Sequence, residues 1–187
     1  MEKPVLFINA CVRSESRTRR LADRLLAKLN RPYEELRLDK IGFPFTDEEF
    51  LKMRDRLISG REFNNVLFDQ ARKFAEAETI VIAAPYWDLS FPAALKQYFE
   101  QINVVGITFK YTEEGIPMGL CKAQKLFYVT TAGGGFAPQE YGFGYVKALA
   151  QNFYGIQDVR SVVATGLDIY GADVEAILCA VEATIEV

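Results

Sequence analysis

The sequence predicts an α/β fold, an open sheet of five parallel strands covered by helices on both faces. Three observations lead there. Short apolar runs alternate along the chain with stretches whose apolar residues recur at helical spacing. The strongest run, Thr79 to Ala84, has Ile80, Val81 and Ile82 contiguous and β-branched, as a strand buried in a parallel sheet requires. No internal repeat, low-complexity tract or linker interrupts the alternation, so the 187 residues are expected to form one domain, 1–187.

The elements follow in order. Val5 to Asn9 is a short apolar strand. Leu21, Leu25 and Leu29, with Leu26 beside them, mark a helix from Arg17 to Leu29. Tyr33 to Leu38 alternates like a less buried strand. Thr46 and Glu49 have the spacing of a capping box and open a helix through about Leu57. Phe63, Leu67 and Phe74 mark a second helix over roughly Glu62 to Glu76. After Thr79 to Ala84, Ser90 is placed to cap a helix with Pro92 in its first turn and Leu95, Phe99 and Ile102 on its inner face. Lys125 to Thr131 is the fourth strand. Tyr141, Tyr145, Leu149 and Phe153 step by four along a helix that Gly155 can end. Asp158 to Thr165 is the last strand, and Val174, Ile177, Leu178, Val181 and Ile185 mark the last helix.

Composition narrows the function. Half the residues are hydrophobic, a quarter are charged, and the formal net charge is -3. No global field therefore favours nucleic acid. The stretch MEKPVLFINA is too short and too soon interrupted for a secretory leader, and no apolar run reaches the ~20 residues of a membrane span. The expected location is the cytoplasm. Cys11, Cys121 and Cys179 are scattered and odd in number, which suits neither a disulfide framework nor a metal site. The sequence has no histidine. Imidazole-based triads and imidazole metal ligands are thereby excluded, and any hard chemistry must come from elsewhere.

Sheets of this class bind ligands beyond the carboxyl ends of their strands. Three strand-end loops carry unusual residues. In NACVRSESRTRR, Ser14, Ser16 and Thr18 surround a helix start, where free N–H groups favour an anion. Five arginines against Glu15 and Asp23 give residues 13–24 a local charge of +3. The loop lacks the glycines of a Walker A or dinucleotide fingerprint, and its residue types suit a single phosphate monoester. After Ala84, Pro85 turns the chain out and Tyr86 and Trp87, the only tryptophan, follow. Such rings suit the face and edge of a planar ligand. In TTAGGGF, three consecutive glycines let the main chain approach a ligand and offer its N–H groups. Each loop alone is equally a capped helix, a plug for the sheet or a flexible connection. Together they describe a site for a mononucleotide with a large planar ring, such as a flavin.

The chain also resembles the flavodoxin-like NAD(P)H oxidoreductase superfamily, and within it the FMN-dependent NADH-azoreductases and quinone reductases. The resemblance covers most of the chain and is strongest from Thr79 to Gly134. There PYWDL, LKQYFEQ and GITFKYTEEGIPMGL match the family pattern in order. It implies a flavodoxin-like three-layer sandwich with strand order 2-1-3-4-5 and FMN at the carboxyl edge. It implies a phosphate loop at Cys11, Ser16, Arg17 and Thr18. The ring would lie against Pro85, Tyr86, Trp87, Asp88 and Leu89, and a second flavin loop would fall on Thr131, Ala132, Gly133 and Gly134. Cys11 stands where the family usually has serine, and a thiol is the weaker donor. Asp88 stands where asparagine is common, and Ala132 replaces a longer polar residue.

The same resemblance implies a homodimer with active sites at the interface. Hydride would pass from NADH or NADPH to the flavin, and then two electrons to a quinone, azo or nitro aromatic. The cofactor carries the chemistry, so no catalytic side chain is assigned. Phe43, Phe45, Phe109 and Tyr111 are candidates for pocket, interface or core. The alternatives are a flavodoxin-type electron carrier, against which the absence of a TxTGxT-type loop speaks, and a flavin-less regulatory protein with the same fold.

Overall fold

The computed structural model describes residues 4–187. The first three residues, part of the stretch that reads as too short for a secretory leader, lie outside the described residues. The strands are β1 (Val5–Asn9), β2 (Tyr33–Arg37), β3 (Thr79–Ala83), β4 (Phe109–Tyr111), β5 (Pro117–Gly119), β6 (Lys125–Thr131) and β7 (Asp158–Ala164). The helices are α1 (Arg17–Leu29), α2 (Glu48–Ser59), α3 (Asp69–Glu76), α4 (Ala93–Ile102), α5 (Phe143–Leu149) and α6 (Val174–Thr184). The main sheet runs β2-β1-β3-β6-β7 and is parallel throughout. Counting only its own five strands, this is the expected order 2-1-3-4-5.

Side chains of a strand alternate between faces, and the sheet fills both. Leu6, Ile8, Ile80, Ile82, Leu126 and Tyr128 point to one side and pack against Leu57, Phe74, Leu95, Phe99 and Val146 of α2 to α5. Val5, Phe7, Val81, Ala83, Phe127 and Val129 point to the other, against Leu21 and Leu25 of α1 and Leu178 of α6. Every residue of β1 and β3 is buried. Each such aliphatic side chain contributes on the order of 1.5–3 kcal/mol by leaving water. A slip of one residue in register would exchange the two faces, so the strand ends are fixed in level.

Several helix starts differ from expectation. Asp47, not Thr46, caps α2: its Oδ1 accepts from the Phe50 N–H at 2.8 Å. A helix from Glu62 is not formed. Asn65 instead caps a 3₁₀ turn at Val66–Phe68, Arg72 grips the carbonyls of Phe63 and Asn65, and the α-helix begins only at Asp69. The polar side chains there bond the nearby backbone and compete with helix. Helix α5 begins at Phe143 rather than near Tyr141, and widens into a π turn at Ala150–Tyr154. Gly155, at φ 79°, then ends it as expected.

The segment GITFKYTEEGIPMGL forms the antiparallel β4–β5 hairpin, an element periodicity alone did not mark. Thr108 anchors its base. Fully buried, its hydroxyl donates to the Ile102 carbonyl at 2.7 Å. Gly119 sits directly on the Tyr154–Gly155 backbone, where a Cβ would collide with main-chain atoms. Gly119→Ala is therefore expected to lower stability by about 2–3 kcal/mol through overpacking. Gly42→Ala, at a position with open space, should stay within about 0.5 kcal/mol. Urea denaturation of the two variants checks the contrast.

Candidate functional site

The parallel ladder does not stop at the strand ends. Ala10 N–H donates to Ala83 O, Ala84 N–H to Val129 O, Tyr86 N–H to Thr131 O and Ala132 N–H to Ala164 O, all at 2.8–3.0 Å. These bonds carry the order of the sheet into the loops and bring them together around a cavity of about 380 Å³. Of the residues expected at the site, Ser16, Arg17, Thr18, Pro85, Tyr86, Trp87, Thr131, Ala132 and Gly133 line it. Cys11, Asp88, Leu89 and Gly134 do not.

Helix α1 opens into the cavity. Ser16 takes the N-cap position and accepts from the Arg19 N–H at 3.2 Å. Thr18 and Thr131 share a hydroxyl hydrogen bond of 2.6 Å, joining the first loop to the third. Cys11 lies beneath, 3% exposed among Phe7, Leu21 and Leu25, with its N–H on the Asn9 side chain. Burial raises its pKa, so the thiol stays protonated and acts as a small apolar group.

Three arginines of this loop are paired with acids, all of them from elsewhere in the chain except Asp23, which the local +3 already counts. Arg17 pairs with Asp168 at 2.6 Å, Arg19 with Asp23 and Glu35, and Arg20 with Glu175 and Glu182. Arg13 lines the cavity with no partner among the described residues. The guanidinium of Arg20 holds Glu175 at about 2, well below its ordinary 4.5.

The second loop is a two-residue turn. Trp87 and Ser90 exchange both backbone hydrogen bonds, at 3.0 and 2.8 Å. Asp88 and Leu89 between them have φ of 50° and 67°. Aspartate tolerates this left-handed region because its short side chain can bond locally, whereas leucine does so only with strain. Asp88 thus belongs to the turn, and the carboxylate is not among the residues facing the cavity. Ser90 does not cap α4, which begins at Ala93 after Pro92. Its hydroxyl donates instead to the Tyr141 carbonyl at 2.7 Å. Tyr86 donates to the Pro138 carbonyl at 3.1 Å, and burial first, then Glu140, raises its pKa. Trp87 is left 39% exposed at the cavity edge.

The third loop pairs with a fourth, which sequence reasoning missed. Leu167 N–H donates to Ala132 O, Asp168 N–H to Gly133 O and Gly166 N–H to Gly134 O. A Cβ on Gly133 would fall onto the Asp168 carboxylate, so that glycine permits the approach, while Gly134 and Gly135 have room. Leu167 and Asp168 line the cavity, as do Val12, Arg13 and Glu15. The signal for the fourth loop was present in TGLDIYG, which follows the last strand and has glycines at positive φ at both ends. Phe43 packs against the core, Phe109 is buried against Phe153 and Tyr111, and Phe45 and Tyr111 are exposed; none lines the cavity.

A helix N-terminus, two arginines, paired hydroxyls, an aromatic edge and a glycine loop are gathered where a doubly wound sheet ends, the place at which sheets of this class bind ligands. The chain belongs to the flavodoxin-like fold family, whose family model matches residues 3–186. It is 41% identical over 186 residues to the FMN-dependent NADH:quinone oxidoreductase 2 of Clostridium acetobutylicum, covering 93% of this chain and 92% of the relative. It is 39% identical to the FMN-dependent NADH:quinone oxidoreductase of Lachnoclostridium phytofermentans, covering 92% and 90%. Among solved structures, an azoreductase from Bacillus anthracis superposes with a TM-score of 0.84 at 27% identity, covering 98% of this chain and 96% of that one.

Two outcomes follow. Leu89→Gly should raise stability by about 0.5–1 kcal/mol, because relief of left-handed strain exceeds the added freedom of the unfolded chain; a lower urea midpoint would contradict this. The Arg20–Glu175 pair contributes stability that is fully present above pH 4.5 and is lost as pH falls toward 2. Arg20→Gln should make the acid limb of a urea-midpoint against pH curve shallower across that window.

Proposed function

We propose that the protein is an FMN-dependent NAD(P)H oxidoreductase that reduces quinones or azo and nitro aromatics. The observation that carries this is the convergence of the α1 N-terminus, the Tyr86–Trp87 loop and the Thr131–Gly133 loop on one cavity. Its volume falls within the roughly 300–1,000 Å³ range of small-molecule sites. NADH is favoured as donor because the two clostridial relatives described above carry it in their names.

The residues present fit FMN. Ser16, Arg17 and Thr18, with the first-turn N–H groups of α1 and Arg13, would hold the phosphate. Pro85, Tyr86 and Trp87 would flank the ring, and Thr131, Ala132 and Gly133 would meet its polar edge; Cys11 lies buried beneath, and Asp88 and Leu89 form the turn after Trp87. FMN when bound supplies hydride acceptance from a reduced nicotinamide and two-electron delivery to a flat acceptor. The protein's part is to bind, orient and exclude water. Tyr86 stays neutral and fixed on Pro138. Trp87 offers an apolar face over which a nicotinamide or an acceptor can stack in turn.

The reading includes a homodimer. Phe136 and Tyr170, 82% and 104% exposed, project from the third and fourth loops, and Tyr141 and Ile169 lie exposed with them. An apolar rim around a site favours cover by a second copy, which would narrow the open side of the cavity. A cytoplasmic location is consistent with three free cysteines.

Adding FMN to the purified apoprotein should quench the fluorescence of Trp87, the sole tryptophan, and anaerobic NADH should then bleach the flavin band until a quinone restores it. No quenching and no donor oxidation with any quinone or dye would sink the proposal. Replacing Phe136 and Tyr170 together by lysine should shift the protein to monomer in sedimentation and lower quinone turnover more than tenfold, about 1.4 kcal/mol or more of barrier.

A further inference from the structure

Arg17 sits where the phosphate of a bound mononucleotide is expected, yet its charge is already engaged. Its Nη1 donates to Asp168 Oδ1 at 2.6 Å and to the Leu167 carbonyl at 3.3 Å. Both partners belong to the fourth loop, which no family motif in the sequence brought to the site. The backbone that carries the carboxylate is held, and room is left for the carboxylate itself. The Asp168 N–H is bonded to Gly133 O, and the missing side chain of Gly133 makes the space for the carboxylate. Among the described residues Arg17 has no other acidic partner. A built-in anion therefore occupies the guanidinium of the first residue of α1, a helix whose free first-turn N–H groups also favour an anion.

We propose that Asp168 is an intramolecular competitor for Arg17, which the flavin phosphate must displace, so that it sets the affinity for phosphorylated flavin without touching the ring. The proposal rests on the FMN reading. Phosphate brings negative charge beside the carboxylate and draws on the same guanidinium. Binding thus trades one ion pair for another, and only the surplus appears as affinity. Riboflavin, which lacks the phosphate, leaves the pair intact and is indifferent to it. The ion pair also ties α1 to the fourth loop, whose backbone stays bonded to Ala132, Gly133 and Gly134 when Arg17 is released.

The test measures dissociation constants of FMN and riboflavin from Trp87 quenching, at low and at moderate salt. Asp168→Asn keeps the shape that fits over Gly133 and an oxygen that can accept from Arg17. It should tighten FMN by about three- to tenfold at low salt, the effect of one screened unit charge at close range, and leave riboflavin unchanged. Arg17→Gln should weaken FMN selectively, and in that background the gain from Asp168→Asn should shrink. Asp168→Ser provides the same comparison should the asparagine variant fold poorly. An unchanged FMN-to-riboflavin ratio in both Asp168 variants overturns the proposal, as does an equal gain with and without Arg17. If neither flavin binds the parent protein, the FMN reading falls as well, so the two failures are distinguishable.

Discussion

Strands buried on both faces must satisfy every backbone group within the ladder. In this protein that requirement outruns the strands themselves. Tyr86 N–H reaches Thr131 O and Ala132 N–H reaches Ala164 O, so residues that belong to loops are hydrogen-bonded as if the sheet continued. The loops consequently begin at defined positions and directions. A cavity whose wall includes Thr18 from α1 and Thr131 from β6, bonded at 2.6 Å, could not form if either strand end were free to wander. The core sets where the loops begin, and contacts within the site, such as Thr18–Thr131 and Arg17–Asp168, join them.

The parts of the fold that were legible in the sequence are those set by local periodicity. Ile80, Val81 and Ile82 announce a central strand, and Leu21 and Leu25 announce the inner face of α1. Helix starts were less readable because several polar residues compete for one role. Thr46 and Asp47 both can cap, and Asp47 does; Asn65 diverts the chain into a 3₁₀ turn that shortens α3. Strand order rested on resemblance, since β1 pairs with β3 although α1, β2, α2 and α3 lie between them in the chain, and periodicity does not say which strands become neighbours.

For the site, residue type located the loops, but spatial pairing decided what each residue does. Cys11 stands next to a cavity-lining segment in sequence and is buried in the core in space. Asp88 reads as a charge beside a ring and serves as the left-handed residue of a turn. The arginines of α1 form a basic cluster on paper, yet Asp168, Glu175 and Glu182, some 150 residues away, take up much of that charge. Long-range ion pairs leave no trace in local composition: the glycines of TGLDIYG mark a loop after the last strand, but not its pairing with Arg17.

The β4–β5 hairpin divides sharply into a base and a tip. Its base is locked by Thr108 and by the close approach of Gly119 to the Tyr154–Gly155 backbone. Its tip turns at Gly115, at φ 79° with nothing within 4 Å. A protein so arranged can lengthen at one end without disturbing the other. The tip is the place where extra residues, an epitope or a whole inserted module would be carried with little effect on the sheet.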